Sequence, residues 1–349
     1  MGCAAEMDMS LGISLLKGKI IAGLWVLTLT LLLAACGGGS ESNTLTIYSG
    51  RSESLVAPII QQFGESSGAN VLVKYASTPF LAATLLEEGE RTPADVFFAQ
   101  DPGGLGAVEG MLAPLSEDIL ASVPDWAKAT SKRWVGLSGR ARTVVYNTKE
   151  LTEADLPDDL FGFVESQWRG RIGWAPTNAS FQTMVSAMRS IWGEDKTRQW
   201  LEGINANDPK VYPKNTPIVA AAASGEIDVG FVNHYYLHRF LAEEGEGFQA
   251  RNYHPRSGGP GSVVMVAGAG ILSNSDNQDL AQQFLRFLLS PVVQSYFASE
   301  TFEYPIIDGI RAQGGQVPIA DFPHPDVSIA VLSDLDGTQK LLQSVGILP

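Results

Sequence analysis

From Thr44 onward, the hydrophobic positions fall into short runs that alternate between two periods. Residues 45–48 read as a strand, stopped by Ser49 and Gly50. Leu55, Val56, Ile59, Ile60 and Phe63 then recur at helical spacing. Residues 71–75 form the next strand, and Thr78-Pro79 marks the cap and first turn of a helix through Leu81, Leu85 and Leu86. Residues 95–98 make a short buried strand, and this βαβαβ order predicts a mostly parallel, doubly wound sheet. A second set opens near residues 142–146. It continues with a strand at 171–174, a helix through Phe181, Met184, Val185 and Met188, a helix at 218–223 and a strand at 228–232. The apolar stretch 262–272 reads as a strand returning to the first set. The expected fold is α/β, with two doubly wound lobes joined by crossover strands. Lobe 1 takes residues 44–140 and 266–316, and lobe 2 takes 141–265 and 317–349. A cleft between two such lobes is where a small ligand binds.

The first 43 residues follow another pattern. Lys17 and Lys19 precede an apolar run from Ile20 to Ala35, the layout of a secretory signal. The run is short for a membrane span. It ends in Leu33-Ala34-Ala35-Cys36 and is followed by a Gly/Ser tether, residues 37–43. Small residues directly before a lone cysteine resemble the bacterial lipoprotein box. Residues 1–36 are therefore expected to be a lipoprotein signal, with Cys36 lipidated and the protein anchored to the outer face of the cell membrane or held in the periplasm.

Charge narrows the partners. The chain carries net charge −14, and losing residues 1–36 removes two acids and two bases, so the figure stands. Such a surface repels nucleic acid and anionic membrane, while leaving room for a local anion site. Cys3 and Cys36 are the only cysteines, which excludes a disulfide framework and thiol chemistry beyond the signal. No phosphate loop or nucleophile elbow is present, and the expectation is a binding protein and not an enzyme.

Six segments give the chain a family resemblance: 45–51 (LTIYSGR), 92–97 (TPADVF), 137–142 (LSGRAR), 168–173 (WRGRIG), 233–236 (NHYY) and 303–305 (EYP). In this order the chain resembles the bacterial ferric-ion-binding proteins, the substrate-binding subunits of iron(III) ABC transporters. The resemblance implies a type II periplasmic-binding-protein fold, a permease and an ATPase as partners, and a monomer.

Tyr235 and Tyr236 are the candidate metal ligands. Fe³⁺ wants hard anionic oxygen, and a phenolate supplies it. The phenol's ordinary pKa is near 10, so only a strong local positive charge ionises it near neutrality, and the metal provides that charge. Adjacent tyrosines can meet one ion where a strand ends and a helix begins. The sequence places such a junction here, since Leu237, Phe240 and Leu241 open a helical spacing. A Tyr-Tyr pair by itself reads as packing; within this motif it reads as the pair that binds iron in the resembled family. Elsewhere the family's shell is altered. Ser52 and Gln100 stand where many relatives have histidine and glutamate, and Phe181 where others have a third tyrosine. Tyr48 and Asp101 complete the expected cleft.

Two phenolates do not fill an iron shell, and a synergistic carbonate or phosphate is expected beside them. Arg51 and Arg140 are the candidate anion holders, whereas Arg142, inside a strand, reads as structural. The loop before residue 181 offers Asn178 and Ser180 with a helix N-terminus. The resemblance adds Asn215 and Asn233 as anion contacts. His234 and His238, four apart, could chelate zinc in a secreted metal-dependent hydrolase, or simply flank the tyrosines. A small anionic solute, such as phosphonate, sulfate or a phosphorylated vitamin, is the other binding reading.

Overall fold

Strand β1 (Thr44–Ser49) buries Leu45 and Ile47 and pairs in parallel with β2 (Asn70–Tyr75) on one side and β3 (Val96–Ala99) on the other. The computed structural model that shows this describes residues 43–349; the signal run, Cys36 and most of the tether lie outside the described residues. Helix α1 (Glu53–Ser67) connects β1 to β2 and packs against β2. Its buried stripe is Leu55, Val56, Ile59, Ile60 and Phe63, each worth about 1.5–3 kcal/mol on burial. Helix α2 (Thr78–Glu88) leads back to β3. Its cap is Ser77 and not Thr78: the Ser77 hydroxyl accepts from the Phe80 amide, while the Thr78 hydroxyl is buried and accepts from the Gln100 amide.

After the short helices α3 (Pro102–Ala107) and α4 (Glu117–Ala121) comes β4 (Trp134–Asn147), fourteen residues long and buried throughout. Then follow β5 (Ile172–Trp174), α5 (Ala179–Trp192), α6 (Glu194–Ala206), β6 (Lys210–Val211), α7 (Asn215–Ser224), β7 (Val229–Asn233), α8 (Tyr235–Glu244) and β8 (Ala250–Tyr253). Strand β9 (Val264–Ile271), α9 (Gln278–Leu288) and α10 (Pro291–Ser299) precede a long irregular segment. Helices α11 (Ile329–Leu332) and α12 (Leu335–Ser344) end the chain and pack against both α3 and α5.

The strand order is β2-β1-β3-β9-β4-β7-β5-β6, with β8 also on β4. Here the expectation of a mostly parallel sheet needs correction. The two outer sets, β2-β1-β3 and β7-β5-β6, are parallel, but β9 is antiparallel to β3 and β4, and β4 to β7 and β8. Strand β4 belongs to both halves. Its residues 134–141 pair with β9, and 142–147 pair with β7 and β8. It therefore starts eight residues before the second set expected at 142. The expected lobe boundaries at 140/141 and 265/266 fall inside β4 and β9.

Phe181 has no place near the tyrosine pair. It packs edge-on against Trp174, with centroids 5.5 Å apart, in an aromatic core with Trp200. Among the described residues, no helix is long and apolar enough to cross a membrane.

Candidate metal centre

Alternation along β4 puts Ser138, Arg140 and Arg142 on one face of the strand, and all three are fully buried. Arg51 joins them from the turn after β1. The chain passes close there: a Cβ on Gly50 would lie 2.0 Å from the Thr78 hydroxyl oxygen. Arg51 forks onto Glu303, with Nη1 to Oε1 at 2.8 Å and Nη2 to Oε2 at 2.6 Å, and Thr301 donates to Oε2 at 3.0 Å. Burial works against the Arg51 charge, but Glu303 more than offsets it and holds the guanidinium above its ordinary pKa. Burial likewise opposes the Glu303 charge, yet Arg51 keeps that carboxyl below its ordinary value.

Arg140 and Arg142 are less well satisfied. Arg140 comes to 4.0 Å from Glu303, and none of its three guanidinium nitrogens has a hydrogen-bond partner among the described residues. Arg142 donates once, to Asn233 Oδ1 at 3.0 Å, leaving Nε and Nη2 without partners among the described residues. Burial pulls Arg142 down to about 9 and lowers Arg140 too, where Arg51 adds its repulsion. Three guanidiniums thus face two buried carboxyls, Glu303 and Asp101.

The tyrosine pair sits where the sequence put it. Strand β7 ends at Asn233, the His234 amide donates to the Ala141 carbonyl of β4, and α8 begins at Tyr235. This joint holds the two rings stacked, with centroids 4.1 Å apart and planes at 29°. The Tyr235 hydroxyl is buried and has no hydrogen-bond partner among the described residues. Burial and neighbouring Tyr236 push its pKa well above the ordinary value, and Arg51 and Arg140 pull the other way.

The anion loop is tied into the same cluster. Asn178 caps α5 through the Ser180 amide. The Ser180 hydroxyl accepts from Gln100 Nε2 at 2.8 Å and from Asn233 Nδ2 at 3.0 Å, and Asn215 reaches Asn178 at 3.4 Å. Arg51, Ser52, Gln100 and Asn178 help line a cleft of about 330 Å³, with Ser52 exposed at its rim. Asp101, the residue after Gln100, is buried and does not line this cleft. Tyr48 does not join the group: its hydroxyl donates to Glu88 at 3.0 Å, and Lys74 lies over its ring.

The histidine pair forms no chelate. His234 Nδ1 accepts from the Ala141 amide at 3.1 Å, so Nε2 carries the proton and donates to Gln316 Oε1 at 2.8 Å. Burial lowers its pKa to about 3, and the ring stacks on Tyr304. His238 Nδ1 is engaged by the Gly314 carbonyl. Among the described residues, no group of three or more His, Cys, Asp or Glu could hold a metal ion.

Two buried members of this cluster escaped sequence reasoning. Arg142, read as structural, is buried on the same face of β4 as Arg140, with Asn233 and not a carboxylate as its partner. Its signal was the i, i+2 spacing within a strand. Glu303 lay inside a quoted motif, but nothing local announced that it faces Arg51, 252 positions away.

A polar cleft is thus joined to the buried cluster through Gln100, Ser180 and Asn233, and the chain belongs to the family of bacterial extracellular solute-binding proteins, whose model matches residues 58–323. More particularly, it is 33% identical over 309 residues to the major ferric iron-binding protein of Neisseria meningitidis serogroup B, covering 86% of this chain and 92% of that one. Among solved structures, iron-bound HitA from Pseudomonas aeruginosa matches with TM-score 0.83 and 31% identity, over 87% of this chain and 99% of that one. The Trichodesmium protein IdiA (FutA), solved with iron and citrate, matches with TM-score 0.73 and 26% identity, over 87% and 100%. The resemblance to ferric-ion-binding proteins and the type II periplasmic-binding-protein fold both hold.

Proposed function

We propose that this chain captures Fe³⁺ on Tyr235 and Tyr236, together with a synergistic anion, for an ABC importer. The observation that supports this most is a buried, stacked phenol pair beside three guanidiniums whose N–H groups are largely without partners. Fe³⁺ and two phenolates leave one positive charge, in a cluster where the arginines already outnumber the carboxyls. An oxyanion such as carbonate or phosphate corrects the balance. It can take the free N–H groups of Arg140 and Arg142, with Arg51 close by, and the polar loop of Asn178, Ser180, Asn215 and Asn233. The halves bounded at 140/141 and 265/266 act as lobes that close by bending β4 and β9, and the closed form docks on the permease. Visible absorbance on adding Fe³⁺ to the full chain tests the reading: phenolate-to-iron charge transfer colours the protein orange to red, and a colourless loaded protein refutes it. A small oxyanion as the sole solute is the second reading, favoured by the same unpartnered guanidiniums. It leaves the protein colourless.

Two results are expected to accompany iron binding. Arg140→Ala removes a charged donor to the anion, which costs about 1.5–3 kcal/mol, or roughly ten- to a hundredfold in Fe³⁺ affinity. Competition with a chelator in carbonate buffer measures it, with exposed Arg286→Ala as the comparison. Cys36→Ser is expected to release the protein from the membrane fraction with its fold unchanged. Retention there would remove the lipid anchor from the proposal.

A further inference from the structure

Two phenolates and a bidentate anion leave a hard ion short of donors, and the residues at the family's altered positions do not supply them. Ser52 is exposed, Gln100 donates its Nε2 to Ser180 and has only a neutral amide oxygen left to offer, and Phe181 is packed on Trp174. Two buried carboxyls lie in the cluster. Both oxygens of Glu303 are taken by Arg51, and one also by Thr301. Asp101 differs: it is 1% exposed, and Oδ2 has no hydrogen-bond partner among the described residues. It stands at the cap position of α3 yet makes no capping bond. The Thr183 hydroxyl, on the α5 face that carries Ser180, and the Gly103 and Gly104 amides lie close enough to pull the carboxyl's pKa down, but none completes a hydrogen bond to Oδ2. Burial raises the Asp101 carboxyl to about 6, and the Arg140 charge, which pulls it down, does not fully compensate.

We infer that Asp101 supplies a carboxylate oxygen to the Fe³⁺ held by Tyr235 and Tyr236, in a shell where Ser52 and Gln100 supply none. The inference rests on the reading of this cluster as an iron site. A buried carboxylate oxygen and an unpartnered phenol, both acting on the Arg140 charge, are donors of the kind a trivalent ion requires. The competing role is electrostatic only, with Asp101 acting as a counter-charge to Arg140 and never touching the metal.

Absorbance titration of the full chain with ferric nitrilotriacetate separates the two. Loss of an outer-shell partner costs about 10–100-fold in metal affinity, so loss of a ligand is expected to cost Asp101→Asn at least tenfold. Its visible band is expected at longer wavelength, because iron that has lost an anionic donor accepts phenolate charge more readily. Asp101→Glu is expected to recover part of both, and exposed Asp336→Asn to change neither. An unmoved band in folded Asp101→Asn overturns the assignment, whatever its affinity, because a counter-charge to Arg140 leaves the iron's donors unchanged. If that variant does not fold, isotope-edited infrared spectra of the wild type decide. With side-chain ¹³C-aspartate, loading is expected to shift one carboxylate stretch, and no shift overturns the assignment. A wild type with no band at all refutes the iron reading itself, a failure distinct from that of Asp101.

Discussion

Fe³⁺ added to the Tyr235→Phe/Tyr236→Phe double variant is expected to leave the solution colourless, with no binding detectable by absorbance titration. The substitution deletes two oxygens and keeps both rings, so it distinguishes ligands from packing. The stacked pair retains its 4.1 Å contact chemistry, and the Tyr235 hydroxyl has no partner to lose among the described residues. Apo stability is therefore expected to stay near that of the wild type, because removing an unpaired buried hydroxyl costs little. Each single variant keeps one phenolate and is expected to show a weaker, shifted band. The pH dependence follows from the same residue. The Tyr235 proton is held more tightly than in water, and iron has to displace it. Binding is expected to release protons and to weaken as pH falls. Equal binding by wild type and double variant would end the tyrosine assignment and favour the oxyanion reading.

Glu303→Gln is expected to cost about 3–5 kcal/mol of stability, because it leaves buried Arg51 without its counter-charge while Arg140 and Arg142 stand nearby. For a fold of this size that is a drop in melting temperature of roughly 5–8 °C. Glu300→Gln, at an exposed neighbouring position, is expected to cost close to nothing. The pH dependence gives a second reading of the same pair. The Glu303 carboxyl is held below its ordinary value in the native state, so the unfolded chain binds the proton more readily. Its contribution is complete above the unfolded pKa and disappears as pH falls through the native one. The variant's stability is expected to decline less than the wild type's over that acid range. Thermal unfolding of the apo protein across pH checks both statements.

What could be read locally was read well. The 3.6 and 2.0 periods located the principal strands and helices because one face of each is buried. The tyrosine junction was legible because a strand end and a helix start lie within a few residues of each other. Asn178 was legible as a cap for the same reason. Thr78 was misread because Ser77 and Thr78 are both competent caps, and the choice fell to Thr78's long-range bond with the Gln100 amide. The burial of Arg142 was not legible because a strand's charged residue usually faces water, and here both faces of β4 are covered.

By itself, the sequence determined the α/β class, the two sets of elements, the family resemblance and the phenol pair, because each rests on spacing within one segment. The tertiary structure decided the antiparallel crossing of β4 and β9, the Arg51–Glu303 pair, the engagement of both His234 nitrogens and the burial of the Asp101 carboxylate. Each of these depends on partners brought from distant parts of the chain. Burial then sets how much an unpaired charge costs, and burial is a property of the assembled fold and not of any one segment.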